Sequence, residues 1–239
     1  MHECVTVPMK FNPGTLADFE SRFASAQNNA ENKVIVLTGG AACFSMGMDL
    51  VYISTAYDAS FVSQFGNLLT MVRNSRKPVL AKVEGDVIAG GMALLAVADF
   101  ILSSETASFS LPEASFGVTP AVAMSCLLER VRPHHLKYLV WNSSVIAAKQ
   151  ALDWGIVDHI SMPQELDRDT QVLSRKLSRL SPSVIGETKM LLAERHSFER
   201  ALKMGCQLLE NKLDDPQAIK KIRRYLEDIK LFNDEYADD

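Results

Sequence analysis

A chain of 239 residues with 47% hydrophobic composition holds enough apolar material for one large core, which favours one domain or a domain with an appendage. A net charge of −4 supplies no global positive field to draw nucleic acid. Its four cysteines, Cys4, Cys43, Cys126 and Cys206, show neither CxxC nor Cys/His ligand spacing, so they read as small core residues of a reducing compartment, with no metal site.

In chain order, short β-rich runs alternate with helical patterns. Val5 to Val7 reads as a brief strand, and Asn12-Pro13 starts a helix with Leu16, Phe19 and Phe23 on one face. KVIVLTGG (33–40) is a buried strand ending in a glycine turn. Phe61, Phe65, Leu68, Leu69 and Val72 keep helical spacing, and Lys77-Pro78 stops that helix before a strand from Val79 to Val83. Gly90-Gly91 begins another helix, followed by the strand Phe100 to Leu102. DWGIVDHI (153–160) reads as a helix end passing through Gly155 into a strand. This alternation predicts an α/β fold made of βαβ units.

From Asp169 onward the pattern turns helical. One stripe runs through Leu173, Leu177 and Leu180, another through Phe198, Leu202, Cys206, Leu209 and Leu213, and a third through Ile219, Ile222, Leu226 and Ile229. The expected division is 1–168 for the core and 169–239 for a helical region that packs on the core or on a neighbouring subunit. No apolar run approaches the roughly 18 residues that span a bilayer. MHECVTVPMKFNPG has neither a basic n-region nor an apolar h-region. The expectation is a cytoplasmic protein with no membrane partner.

Two features carry chemistry. Gly90-Gly91 follows a strand and opens a helix; it reads either as a tight turn or as free N–H groups aimed at an oxygen gaining negative charge. A second turn of the same character, CFSMGMDL (43–50), brings Met46-Gly47 after the neighbouring strand. Two such turns offer one N–H each to a carbonyl, an oxyanion hole made of main chain. Glu113, in SLPEASFG, is a lone acid in apolar company; it reads either as an ordinary first-turn helix acid or as a desolvated acid/base.

VIVLTGGAACFSMGMDL, KPVLAKVEGDVIAGGMALLAVADF and TASFSLPEASFGVTP together resemble the crotonase (enoyl-CoA hydratase/isomerase) superfamily, and AAKQALDWGIVDHI resembles its downstream helix-turn-strand. The resemblance implies a crotonase-like spiral of ββα units with a C-terminal helical trimerisation region, as a homotrimer or dimer of trimers. It implies an acyl thioester substrate on coenzyme A or an acyl carrier protein and no further cofactor. The thioester oxygen would be held by the backbone N–H groups of Met46 and Gly90, with Glu113 as the acid/base. Met48, Tyr52, Tyr57, Gly91 and Ala93 would line the substrate pocket.

The sequence departs from the paired-glutamate hydratases of that superfamily. Their first glutamate would fall three residues after Gly90, where this chain has Ala93, and a glycine expected after Pro120 is Ala121. One carboxylate shuttles one proton, which suits a dehydratase or a double-bond isomerase. The texture of the three segments is similar to the dehydratases of polyketide β-branching cassettes, which act on a 3-hydroxy-3-methylglutaryl group on a carrier protein. A non-catalytic thioester-binding protein of the same fold stays open as the alternative of a different class.

Other residues read more plainly. Asp49 organises its turn, Asp86 is a turn acid, and His134-His135 open a helix with no metal partner in range. The KKIRR run (220–224) reads as a solvated face or as a meeting point for an acidic carrier or the phosphates of coenzyme A. Met46, Met48, Met71 and Met92 fill pocket and core.

Overall fold

The computed structural model describes residues 2–58, 60–193 and 198–235. The chain winds as a spiral in which successive turns lay one strand in each of two sheets. The strands are β1 (His2–Thr6), β2 (Val34–Thr38), β3 (Cys43–Ser45), β4 (Val79–Val83), β5 (Asp86–Ile88), β6 (Phe100–Ser104), β7 (Ser108–Ser110), β8 (Ile146–Ala147) and β9 (His159–Ser161). One sheet has the order β1-β2-β4-β6-β9, parallel throughout; the other has the order β3-β5-β7-β8, antiparallel only between β7 and β8. The helices are α1 (Pro13–Asn28), α2 (Leu50–Ala56), α3 (Ser60–Arg73), α4 (Gly90–Ala96), α5 (Ala121–Leu127), α6 (Pro133–Trp141), α7 (Ala148–Asp153), α8 (Leu166–Leu177), α9 (Pro182–Ala193), α10 (Phe198–Leu213) and α11 (Pro216–Glu235), with a 3-10 helix at Pro112–Phe116. This is the ββα spiral that the resemblance implies.

Local chemistry sets the element ends. Asn12 caps α1 in a reciprocal box: its side chain accepts from Thr15 N–H at 3.0 Å while the Thr15 hydroxyl accepts from Asn12 N–H at 2.9 Å. Asp49 caps α2 by accepting from Val51 N–H at 3.0 Å. The step from α7 to β9 passes through Gly155 at φ +81°, as the DWGIVDHI pattern predicts.

The parallel sheet is apolar on both faces. In β2, Ile35 and Leu37 join the main core with Val79, Ala81 and Ile101, whereas Val34 and Val36 pack with Leu80 and Leu102 on the opposite side. A sheet of this kind needs a cover on each face. The outer cover is α8, through Leu166, Leu173 and Leu177. Burying a leucine such as Leu166 there contributes about 1.5–3 kcal/mol relative to exposure. The change of pattern expected at Asp169 therefore falls inside a helix that belongs to the sheet. Leu180, expected on its stripe, lies past the helix end and is exposed.

The later helices return to the same chain. Phe198, Leu202 and Cys206 of α10 are buried against α5 and α3, and the Arg73 guanidinium, paired with Glu129, lies 4.0 Å over the Phe198 ring. α11 runs along α2 and the 3-10 helix, where the Arg223 guanidinium donates to the Ser54 carbonyl at 2.6 and 3.0 Å. So Arg223, one of the KKIRR cations, ties α11 down rather than facing solvent freely.

Candidate active site

Pro112 opens the 3-10 helix and Gly117, at φ +77°, ends it. With three residues per turn, positions 113 and 116 share a side, so Glu113 and Phe116 both line one cavity. The cavity reaches part of the Glu113 side chain, but Oε2 is buried and has no hydrogen-bond partner among the described residues. Burial pushes the carboxyl pKa up from 4.5 to about 7. No neighbouring cation offsets that desolvation, which leaves a base that ionises near neutrality.

The backbone donors differ from the sequence expectation at one position. Met46 N–H donates to the Met9 carbonyl at 2.7 Å, which spends it. The chain then bridges to Phe11: Phe11 N–H donates to the Gly47 carbonyl at 2.7 Å, and Asp49 N–H to the Phe11 carbonyl at 2.8 Å. Between those bonds, Met48 N–H points away from the bridge and donates to no group among the described residues. Gly90 N–H, at the first position of α4, is likewise unspent. The two turns touch: a Cβ on Gly47 (φ +75°) would lie 2.4 Å from Gly90 N, and one on Gly90 would lie 3.4 Å from Met48 N. Among the described residues the free donor pair is Met48 and Gly90; Met46 lines the cavity, but its N–H is spent on Met9. Immediately before Gly90, Ala89 sits at φ +52°, ψ −124°, a strained conformation for alanine held at the step from β5 into α4.

The cavity encloses about 200 Å³. The spiral supplies its inner wall, including Met48, Ile88, Gly90 and Glu113, and α10 and α11 supply an outer wall through Leu209, Leu213, Ile222, Tyr225, Leu226 and Ile229. Among the lining side chains, only Lys10, Glu113, Thr119 and Tyr225 carry a nitrogen or oxygen. Of the expected pocket residues, Met48 is in place and four are not. Tyr52 packs edge-on against Phe61, with centroids 5.2 Å apart. The Tyr57 hydroxyl is buried without a partner, its pKa pushed up by burial and by Asp214 and Glu210. Gly91 is pressed against the Ser45 carbonyl, 2.4 Å from where a Cβ would stand, and Ala93 is buried in the main core.

The outer wall was legible as apolar stripes, but Tyr225 was missed. Its signal was its spacing: it stands three residues after Ile222 and four before Ile229, on the face of α11 that closes the cavity. The remaining polar candidates have structural work. Asp86 accepts from the Ser108 hydroxyl at 2.7 Å, and His135 stacks on Trp154 with centroids 4.5 Å apart. Among the described residues, no cluster of His, Cys, Asp or Glu is built to hold a metal, and no helix is long and apolar enough to cross a membrane.

Known proteins share this sequence pattern and this fold. The sequence model of the enoyl-CoA hydratase/isomerase family matches residues 9–235. The chain belongs to that family. Carnitinyl-CoA dehydratase of Salmonella enteritidis PT4 is 32% identical over 217 residues, covering 84% of this chain and 83% of the relative. In fold, the chain is similar to a Bacillus subtilis protein named as a polyketide biosynthesis enoyl-CoA hydratase, with a TM-score of 0.87, 23% identity, and coverage of 95% and 93%. It is also similar to an enoyl-CoA hydratase of Mycobacterium avium, with a TM-score of 0.82, 21% identity, and coverage of 95% and 91%. The family assignment makes the chain an enzyme.

Proposed function

We propose that this member of the enoyl-CoA hydratase/isomerase family is a hydro-lyase that removes water from a 3-hydroxyacyl thioester. The observation that carries the reading is a single carboxyl, Glu113, whose Oε2 has no partner among the described residues, in an apolar cavity that also holds the unspent N–H groups of Met48 and Gly90. The thioester carbonyl accepts from the two N–H groups. Charge that develops on its oxygen as the α-proton leaves is stabilised there, each donor contributing about 3 kcal/mol. Glu113, ionised near pH 7, takes the α-proton. The enolate then expels the β-hydroxyl and gives an α,β-unsaturated thioester. Among the described residues no second carboxylate lines the cavity, so the reading does not need the paired-glutamate hold on a water.

The Salmonella relatives are named as dehydratases of a coenzyme A thioester, which supports the direction of the reaction. The Bacillus subtilis fold relative, named for polyketide biosynthesis, supports a finer substrate: 3-hydroxy-3-methylglutaryl on an acyl carrier protein. Incubation with that acyl carrier protein, followed by mass spectrometry, tests the reading. Loss of one water, abolished in Glu113→Gln, is the expected result. If no water is lost from either the carrier-bound or the coenzyme A substrate, the lyase reading falls. The lone carboxylate then favours the isomerase, tested with a 3-enoyl-CoA.

The assembly we propose is a homotrimer or dimer of trimers. Val184, Met190, Leu191 and Leu192 of α9 stand at least half exposed on the single chain, an apolar face that association would cover. Light scattering that returned a monomer would remove this part of the proposal.

A further inference from the structure

The proposed dehydration leaves the path of one proton open. The β-hydroxyl departs as water only if it receives a proton, and the one that Glu113 takes from the α-carbon has to be replaced at the leaving oxygen on the far side of the bond. We propose that Tyr225 is the second proton carrier of the site, its hydroxyl serving the leaving oxygen from the C-terminal helix; this rests on the dehydratase reading above.

Three observations carry it. First, the cavity is poor in polar side chains. Among the described residues it has, besides Glu113, only Lys10, Thr119 and Tyr225, so the groups able to serve the leaving oxygen are few. Second, Tyr225 is placed by the element that carries Glu113. Phe116 shares a side of the 3-10 helix with Glu113, and the Tyr225 ring packs on the Phe116 ring with centroids 4.8 Å apart. The phenol ring is therefore held on the cavity wall that carries Glu113 by an aromatic contact, and no hydrogen bond to the carboxyl has to be broken by substrate. Third, the phenol senses the carboxyl. The Tyr225 pKa is raised by burial and then by the charge of Glu113, so the phenol keeps its proton at neutral pH. A phenol in that state is a donor waiting for an acceptor.

The step balances without any further reagent. The Cα–H bond breaks, its proton goes to Glu113, and the electron pair enters the enolate. The enolate forms the carbon–carbon double bond as the Cβ–O bond breaks, and the leaving oxygen takes the Tyr225 proton to become water. The proton held by Glu113 then returns to the Tyr225 oxygen through the released water, which restores both groups. Tyr225 thus fills part of the place that the missing carboxylate at Ala93 leaves open, and it does so from a different element of the fold.

The test is Tyr225→Phe, which keeps the ring on Phe116 and removes only the hydroxyl. Two readouts on a 3-hydroxyacyl thioester in deuterated water are compared: exchange of the α-proton and loss of water. The expected result is exchange close to wild type with water loss reduced about 100-fold or more, in kcat rather than KM. Water loss at the wild-type rate would overturn the assignment while leaving the dehydratase reading intact. Equal falls in exchange and water loss would also overturn it, making Tyr225 a positioning residue. If the wild type itself exchanges the α-proton but releases no water, both the dehydratase reading and the role of Tyr225 fall together.

Discussion

The inner and outer walls of the cavity meet around the same carboxyl but are held in different ways. The inner wall is set by backbone. Met48 N–H is free because the residues on either side of it bond Phe11, and Gly90 N–H is free because a strained Ala89 turns the chain into α4. Atoms there are closer than a side chain permits. The outer wall is set by side chains on α10 and α11, where Ile222 is fully buried and Ile229 is 38% exposed. In the proposed reaction the first kind of wall fixes where charge is stabilised, and it tolerates little change. The second shapes what fits and supplies the hydroxyl of Tyr225. The difference teaches that the rigid donors and the base belong to the spiral, while the fit and the proposed second proton carrier belong to the helices.

The sharpest way to break the inner wall is Gly47→Ala. Gly47 has φ +75°, and an added Cβ would stand 2.4 Å from Gly90 N, a contact that forces the two donor turns apart. Turnover should fall about 10²–10³-fold, as for loss of an oxyanion donor. Folding stability should fall by about 2–4 kcal/mol through the left-handed conformation and overpacking. Steady-state kinetics and urea unfolding check the two together. Unchanged kcat would mean that the turn at Gly47 does not position the donors.

Glu113→Gln tests the inner wall by pH. The buried carboxyl has its pKa raised from 4.5 to about 7, so the folded state holds the proton more tightly than the unfolded chain does. The stability this contributes is full below pH 4.5 and is lost as pH rises through 7. Glutamine does not titrate. The variant should therefore gain on the wild type across that window, reaching about 3 kcal/mol at the alkaline end. Denaturant unfolding at several pH values measures it. A difference between the two proteins that stays flat with pH would show that Glu113 is not desolvated.

What was legible in the sequence follows the same division. The strands at 33–40 and 79–83 were readable because a buried parallel sheet writes continuous apolar runs, and Asn12-Pro13 because a cap is a local event. Gly90 and Glu113 stood out because their residue types are out of keeping with their neighbours. The donor at Met48, two residues from the expected Met46, was not readable. Which N–H stays free depends on a bridge to Phe11, far away in the chain. The resemblance places Tyr52 and Tyr57 in the pocket because their segment lines the acyl pocket in that superfamily. In space, Tyr52 turns to Phe61, and α11 brings Tyr225 instead. α8 was taken for part of an appendage, although strands apolar on both faces already required an outer cover.

The smallest effect expected comes from the C-terminal helices, away from the cavity. Gly186 lies inside α9, and a Cβ added there meets nothing within 4 Å. Alanine restricts the unfolded chain and favours the helix, so Gly186→Ala should stabilise by about 0.5–1 kcal/mol with kcat unchanged. Set beside Gly47→Ala, the same chemical change is then damaging where the backbone makes the site and mildly favourable where it makes a helix. Calorimetry and initial rates read the contrast directly. A destabilisation at Gly186 would carry a different lesson. The space around it on one chain is open, so a clash there requires a second copy packed against α9, on the face where Met190 and Leu191 are exposed. Such a result would place Gly186 itself inside the contact that α9 is proposed to make.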